Sequence, residues 1–215
     1  MKGTDIFKYY TGFNWLDKFY LRARYYAFPY FETLEQEVPK HGNILDWGCG
    51  LGFFSLYMAE SSGYRKITAA DIDSRKIDAL KRAMPKKNIT FSYIRDFAWE
   101  NNKFDAVILL DVAYYMDTQE YLELLSALKQ VLKSDGIFLV KNLYKSNNWK
   151  HKYTEFQETL TKRITKQTIS TGLHFRTIEE DFAVFGAAGL NVVKSQKLGT
   201  ILPYLHILYK LNLSK

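Results

Sequence analysis

The stretch ILDWGCGLGFFS, Ile44 to Ser55, constrains the fold more than any other part of the chain. Apolar, strand-like residues run into glycines at 48, 50 and 52, and these lead straight into an apolar, helix-like run. In an open parallel sheet, a glycine turn between the first strand and its helix lies at the crevice where ligands bind. Glycine is required there because a side chain blocks close approach and because such turns need positive φ. The helix that follows aims its first amides at the ligand. Dinucleotide fingerprints read G-x-G-x-x-G. Here the spacing is G-x-G-x-G, with Asp46 two positions before the first glycine, which disfavours a dinucleotide.

From Asn43 onward, short apolar runs alternate with amphipathic runs of helical length. Strands are predicted at 43–47, 66–71, 89–94, 104–110, 136–142, 190–197 and 205–211, and helices at 53–62, 74–84, 118–133 and 178–188. This alternation predicts an α/β fold: a Rossmann-like, seven-stranded, mostly parallel sheet with helices on both faces. Only GTILP separates the last two strands, too short for a crossover, so the last strand pairs antiparallel. Residues 143–177 interrupt the pattern with a basic, polar insertion after the fifth strand, with a helix expected near 148–165. Residues 1–40 are predicted to form a helical cap, kinked at Pro29, over a domain spanning 41–215.

At this point the sequence resembles the class I S-adenosylmethionine-dependent methyltransferases. LDWGCGLG is similar to their first motif, ITAADID to their second strand, FSYIRDF to the third strand and its exit, FDAVILLDVAYYM to the fourth, and LKSDGIFLV to the fifth. The resemblance implies S-adenosylmethionine as cofactor, held by Asp46, Gly48, Cys49 and Gly50 in the turn and by Asp71 with Ile72. Asp71 would take both ribose hydroxyls, and it follows Gly52 by 19 residues, close to the spacing a ribose-binding acid needs. Asp96 and Phe97 would flank the adenine, and Asp111 would lie beside the methionine portion. Three departures stand out. Trp47 replaces a small aliphatic residue, Tyr114 and Tyr115 stand where many small-molecule members carry histidines, and DVAY lacks the paired prolines of base-amine methylating enzymes.

The cofactor brings the reactive methyl group, so a catalytic triad need not be visible. The candidates for acceptor chemistry are Tyr115, at the end of the fourth strand, and His174, with His151, in the insertion, either histidine a possible base near neutral pH. The plainer readings are core packing for one of the two tyrosines and simple exposure for a histidine. Cys49 has no histidine or lysine beside it in sequence and reads as a small filler of the turn. Either Arg22 or Arg24 could meet the cofactor's carboxylate, or face water.

Twelve aromatics between Phe7 and Phe31, interleaved with Lys8, Lys18, Arg22 and Arg24, bear on the acceptor. They read as the lid of an apolar pocket, as an interfacial patch, or as core. The first two favour a small hydrophobic or amphiphilic acceptor, lipid-like, with possible peripheral membrane contact. The formal net charge of +7 keeps RNA as the rival acceptor, although no nucleic-acid module is visible. A non-catalytic, cofactor-binding partner subunit is the third reading. One cysteine leaves no disulfide framework and no Cys-based metal site, and no metal is expected. With no secretory signal and no long uncharged apolar run, a cytoplasmic location is expected.

Overall fold

The computed structural model describes residues 3–27, 30–83, 88–96, 103–147, 149, 153, 155 and 172–214. Among them, seven strands form one sheet in the order β3-β2-β1-β4-β5-β7-β6. They are β1 (Gly42–Trp47), β2 (Arg65–Asp71), β3 (Ile89–Tyr93), β4 (Phe104–Leu110), β5 (Leu132–Leu143), β6 (Leu190–Leu198) and β7 (His206–Leu213). Strands β1 to β5 pair in parallel, and β7 runs antiparallel to both its neighbours. The expected Rossmann-like architecture is present, hairpin included.

Strand β1 lies inside the sheet and is covered on both faces, so apolar residues stand side by side at its middle rather than alternating with polar ones. Ile44 and Leu45 point to opposite faces and are both fully buried. Ile44 joins a core shared with α3 (Phe53–Ser61) and α4 (Ser74–Ala83), whereas Leu45 joins one shared with α5 (Thr118–Val131) and α6 (Ile178–Ala187). The helix starts are sealed locally. Asp117 with Glu120, and Thr177 with Glu180, form reciprocal capping boxes on α5 and α6. Asp73 accepts the Arg75 amide at the start of α4, the capping role its position suggests.

Helix α5 stops two residues short of its expected end, and β5 begins at Leu132 rather than 136. Leu132 pairs with Phe104 before the register shifts to Ala106 and Ile137, so an irregular stretch extends the strand backwards. The N-terminal section is a 3₁₀ helix (Gly3–Tyr10), then α1 (Trp15–Ala27) and α2 (Phe31–Gln36). The break between α1 and α2 falls around Pro29, which lies outside the described residues. So does most of the helix expected over 148–165, His151 included.

The aromatics of this section divide between the core and the exposed surface. Phe7, Tyr10, Tyr25 and Phe31 pack their rings on Phe53 of α3, at centroid distances of 5.5, 6.3, 5.8 and 5.0 Å. Trp15, Phe19 and Tyr26 face outward. A second junction is ionic. Arg65, at the start of β2, is completely buried and donates to Glu35 Oε1 of α2 at 2.7 Å and to the carbonyls of Pro39 and Val38 at 2.6 and 2.9 Å. Burial raises the Glu35 carboxyl, but hydrogen bonds from Lys40, Ser61 and Arg65 outweigh it and hold the group below the usual range.

Candidate active site

The sheet order reverses between β1 and β4, because β1 connects outward to β2 on one side while β4 lies on the other. Beyond the carboxyl ends of these strands lies a cavity of about 540 Å³, the size of an ordinary small-molecule site.

The glycine turn forms one end of the cavity. Gly48 and Cys49 donate their amides to Ala70 O of β2, at 2.7 and 3.0 Å, which folds the turn back over the neighbouring strand. Gly48 has φ +76, and a Cβ there would lie 2.5 Å from Val112 Cγ2. No other residue fits. Gly50, also at positive φ, donates to Asp71 Oδ2 at 2.8 Å, and Asp73 donates to Asp71 Oδ1 at the same distance. Asp71 is thus fixed at the rim by two backbone amides, each oxygen retaining a lone pair for a ligand.

Below the turn, Asp46 is buried and accepts the Ser55 hydroxyl. Burial lifts its carboxyl to about 6, with Ser55 opposing and the charge of Asp71 adding to the rise. Burial, then the charges of Asp46 and Asp71, also push the Cys49 thiol well up. A thiol pushed up in this way is a poor nucleophile.

The Asp46 shift gives a pH prediction. A folded-state value near 6 against about 3.9 unfolded means the folded protein keeps a proton that the unfolded chain releases. Stability therefore falls as pH rises through this window, by up to about 3 kcal/mol, and the loss is complete above it. Asp46→Asn keeps an acceptor for Ser55 and carries no charge. Its melting temperature should rise relative to the parent between about pH 4.5 and pH 7. An offset equal at both pH values means burial of the charge is not the cause.

The opposite end of the cavity is aromatic and cationic. Asp111, just past β4, has φ +59, a conformation non-glycine residues adopt seldom and Asp more readily than most. Its carboxylate meets Lys141 Nζ at 2.5 Å and Arg24 Nη2 at 2.5 Å. Burial opposes ionisation, but the charges of Lys141 and then Arg24 prevail and hold Asp111 well below the usual carboxylate range. Lys141 Nζ also stands 4.9 Å above the Tyr30 ring. His206 packs on Tyr30 at 5.4 Å, and burial followed by the Lys141 charge lowers it well below the ordinary histidine value. Tyr20 accepts from Arg24 Nη1 at 2.9 Å, and Tyr114 and Tyr115 complete the wall, their rings 4.5 Å apart.

The structure brings Asp46, Gly48, Cys49, Gly50, Asp71, Ile72, Asp111 and Tyr115 around this one cavity. Asp96 ends the short 3₁₀ turn after β3, and its side chain is not among those described; Phe97 lies outside the described residues. His174 is exposed and is not part of the cavity wall, although its amide donates to Tyr114 O at 2.7 Å. Arg24 faces the cavity, whereas Arg22 is exposed, its guanidinium 5.6 Å from the Phe7 ring. Lys141 escaped the sequence reading. Its signal was a lone charge inside the apolar run GIFLVKNL, which a central strand tolerates only when the charge has a partner. Among the described residues, no cluster of three or more His, Cys, Asp or Glu could hold a metal ion.

A family profile described as a methyltransferase domain matches residues 44–136. The ribosomal protein L11 methyltransferase of Dictyoglomus turgidum is 27% identical over 114 residues, covering 52% of this chain and 36% of the relative. The chain thus spans little more than a third of that relative's length. A putative methyltransferase of Haloferax volcanii, solved with the Trm112 methyltransferase activator, superposes with a TM-score of 0.73 at 14% identity, over 97% of this chain and 98% of its own. The 1,6-didemethyltoxoflavin-N1-methyltransferase of Burkholderia thailandensis, solved with bound 1,6-didemethyltoxoflavin and S-adenosylhomocysteine, gives a TM-score of 0.64 at 16% identity, over 87% of this chain and 77% of its own. The matched domain opens inside β1, carries the glycine turn and ends in β5; over these residues the chain is similar to a methyltransferase domain, and it shares the fold of the solved methyltransferases.

Proposed function

We propose that the protein transfers a methyl group from S-adenosylmethionine to a small hydrophobic or amphiphilic acceptor, lipid-like in character. The observation that carries this reading is a single cavity with two chemically different ends. One end is a glycine turn with Asp46 and Asp71, and the other is a wall of tyrosines around Arg24 and Lys141. The acidic end fits a nucleoside bearing a sulfonium. A Cβ on Gly50 would meet no atom within 4 Å, so a side chain there would stand in the space the cofactor needs. Asp71 would bind the ribose hydroxyls and Ile72 would pack beside them, with Asp96 and Phe97 assigned to the adenine by position. When bound, the cofactor supplies an electrophilic methyl for in-line displacement.

The protein's share is then orientation and exclusion of water. Asp111, locked by Lys141 and Arg24, fixes the position of α1 over the cavity. Tyr115, half-buried in the wall, is the residue proposed to touch the acceptor and align its nucleophilic atom. His174 is proposed to act only on an acceptor that extends past Tyr114. Methyl-labelled S-adenosylmethionine incubated with the protein and either total lipid extract or total RNA tests the acceptor. Label is expected in lipid. Label in RNA alone would overturn that assignment while leaving the donor intact.

A further inference from the structure

We propose that the outer face of α1, with the loop at 199–204 beside it, docks on an anionic lipid bilayer and passes the acceptor from there into the cavity. The inference rests on the reading of the acceptor as lipid-like. Helix α1 has two faces of different character. Trp15, Phe19, Arg22 and Tyr26 recur at spacings of four, three and four, which places them in one stripe. Trp15 is 73% exposed, Phe19 67% and Tyr26 60%, and Leu16 beside them is 56% exposed. On the inner face, Tyr20, Leu21 and Arg24 line the cavity. The helix is therefore a thin partition, with exposed aromatics outside and the cavity wall inside.

The patch continues beyond the helix. Ile201, 75% exposed, donates its amide to Ala27 O at 3.3 Å, which ties its loop to the carboxyl end of α1. Scattered exposed apolar residues are normal on a protein surface, whereas a cluster of this kind marks an interaction site. Charge chooses among occupants. Arg22 lies in the stripe and Lys18 beside it, while Asp17, the only acid in α1, is turned away from it and bonded to Asn14. Aromatics with basic flanks and no acid suit the headgroup region of an anionic membrane. At 13 residues the helix is too short to span a bilayer, so it would lie in the interface plane. No helix among the described residues is long and apolar enough to cross a membrane. A protein partner or a second copy is the rival occupant. Continuity with the cavity wall favours the lipid, because an amphiphile leaving a membrane at this face meets Tyr20 and Leu21 next.

Flotation of the full chain with vesicles tests the proposal. Phosphatidylcholine alone should retain little protein, and vesicles with roughly a third phosphatidylglycerol should retain much more, less so as salt rises. The double variant Trp15→Ser/Phe19→Ser should bind anionic vesicles about 10-fold more weakly or worse, and Arg22→Glu should lose roughly 5-fold or more. Both should keep the thermal shift given by S-adenosylmethionine, which shows that the fold and the cofactor end are intact. Absence of binding to anionic vesicles, or binding that both variants retain in full, overturns the docking surface. A parent dimer that the double variant turns into a monomer, with no vesicle binding by either, assigns the patch to a second copy and overturns it too. If the parent itself shows no shift with S-adenosylmethionine, the functional reading fails instead, a result that vesicle binding does not influence.

Discussion

Substituting Asp71 with Ala is expected to remove the stabilisation that S-adenosylmethionine gives the parent protein. A ligand at about 100 times its Kd stabilises the native state by about 2.7 kcal/mol, a rise of roughly 5–10 °C for a chain of this size. Asp71 is the acid that two backbone amides hold at the cavity rim, and it is the residue proposed to take the ribose hydroxyls. Each hydrogen bond to a charged group contributes about 1.5–3 kcal/mol, so losing two lowers affinity by about 100-fold or more. The shift should then vanish at concentrations that saturate the parent. NAD should shift neither protein. Because the substitution also frees the Gly50 and Asp73 amides, the melting temperature without ligand serves as the control. A variant that melts near the parent and still responds fully to the cofactor would sink the ribose assignment.

The second large effect lies far from the cavity. Glu35→Ala leaves the Arg65 guanidinium buried without its carboxylate, and breaking such a pair on one side costs about 3–5 kcal/mol. Arg65 is wholly buried, so little solvent screening softens the loss. Thermal melts should show a fall of roughly 10 °C. A fall of less than about 2 °C would mean that Ser61 and the carbonyls of Met58, Val38 and Pro39 satisfy Arg65 on their own. Since Glu35 belongs to α2 and Arg65 to β2, the N-terminal cap and the sheet then melt as one unit.

The contrast between these two sites shows what a sequence makes legible. Strand β1 and its neighbours were readable because burial on both faces forces apolar runs, and the glycine turn because its backbone admits no Cβ at Gly48. Asp71 was found by its distance along the chain from that turn. Glu35 and Arg65 left no such mark. Each looks like an ordinary surface charge until the fold brings together residues 30 positions apart. The meeting of Arg24, Asp111 and Lys141 was hidden for the same reason, though the lysine in an apolar strand hinted at it. The aromatic segment was ambiguous because its aromatics fall on more than one face of a helix, so that spacing alone does not say which are buried. Only inside α1 does the spacing separate the inward stripe from the outward one.

The order of strands at the sheet's antiparallel end has a bearing on biogenesis. Strand β7 follows β6 along the chain yet lies between β6 and β5, and among the described residues β6 pairs with nothing else. Until β7 is available, β6 has no edge to join, and Phe138, Leu139 and Val140 of β5 lack their pairing strand. The five parallel strands and the glycine turn can therefore assemble before β6 and β7 join the sheet. An unpaired strand edge invites chaperones or mispairing with a neighbour, and the edge of β5 stays open until β7 reaches it.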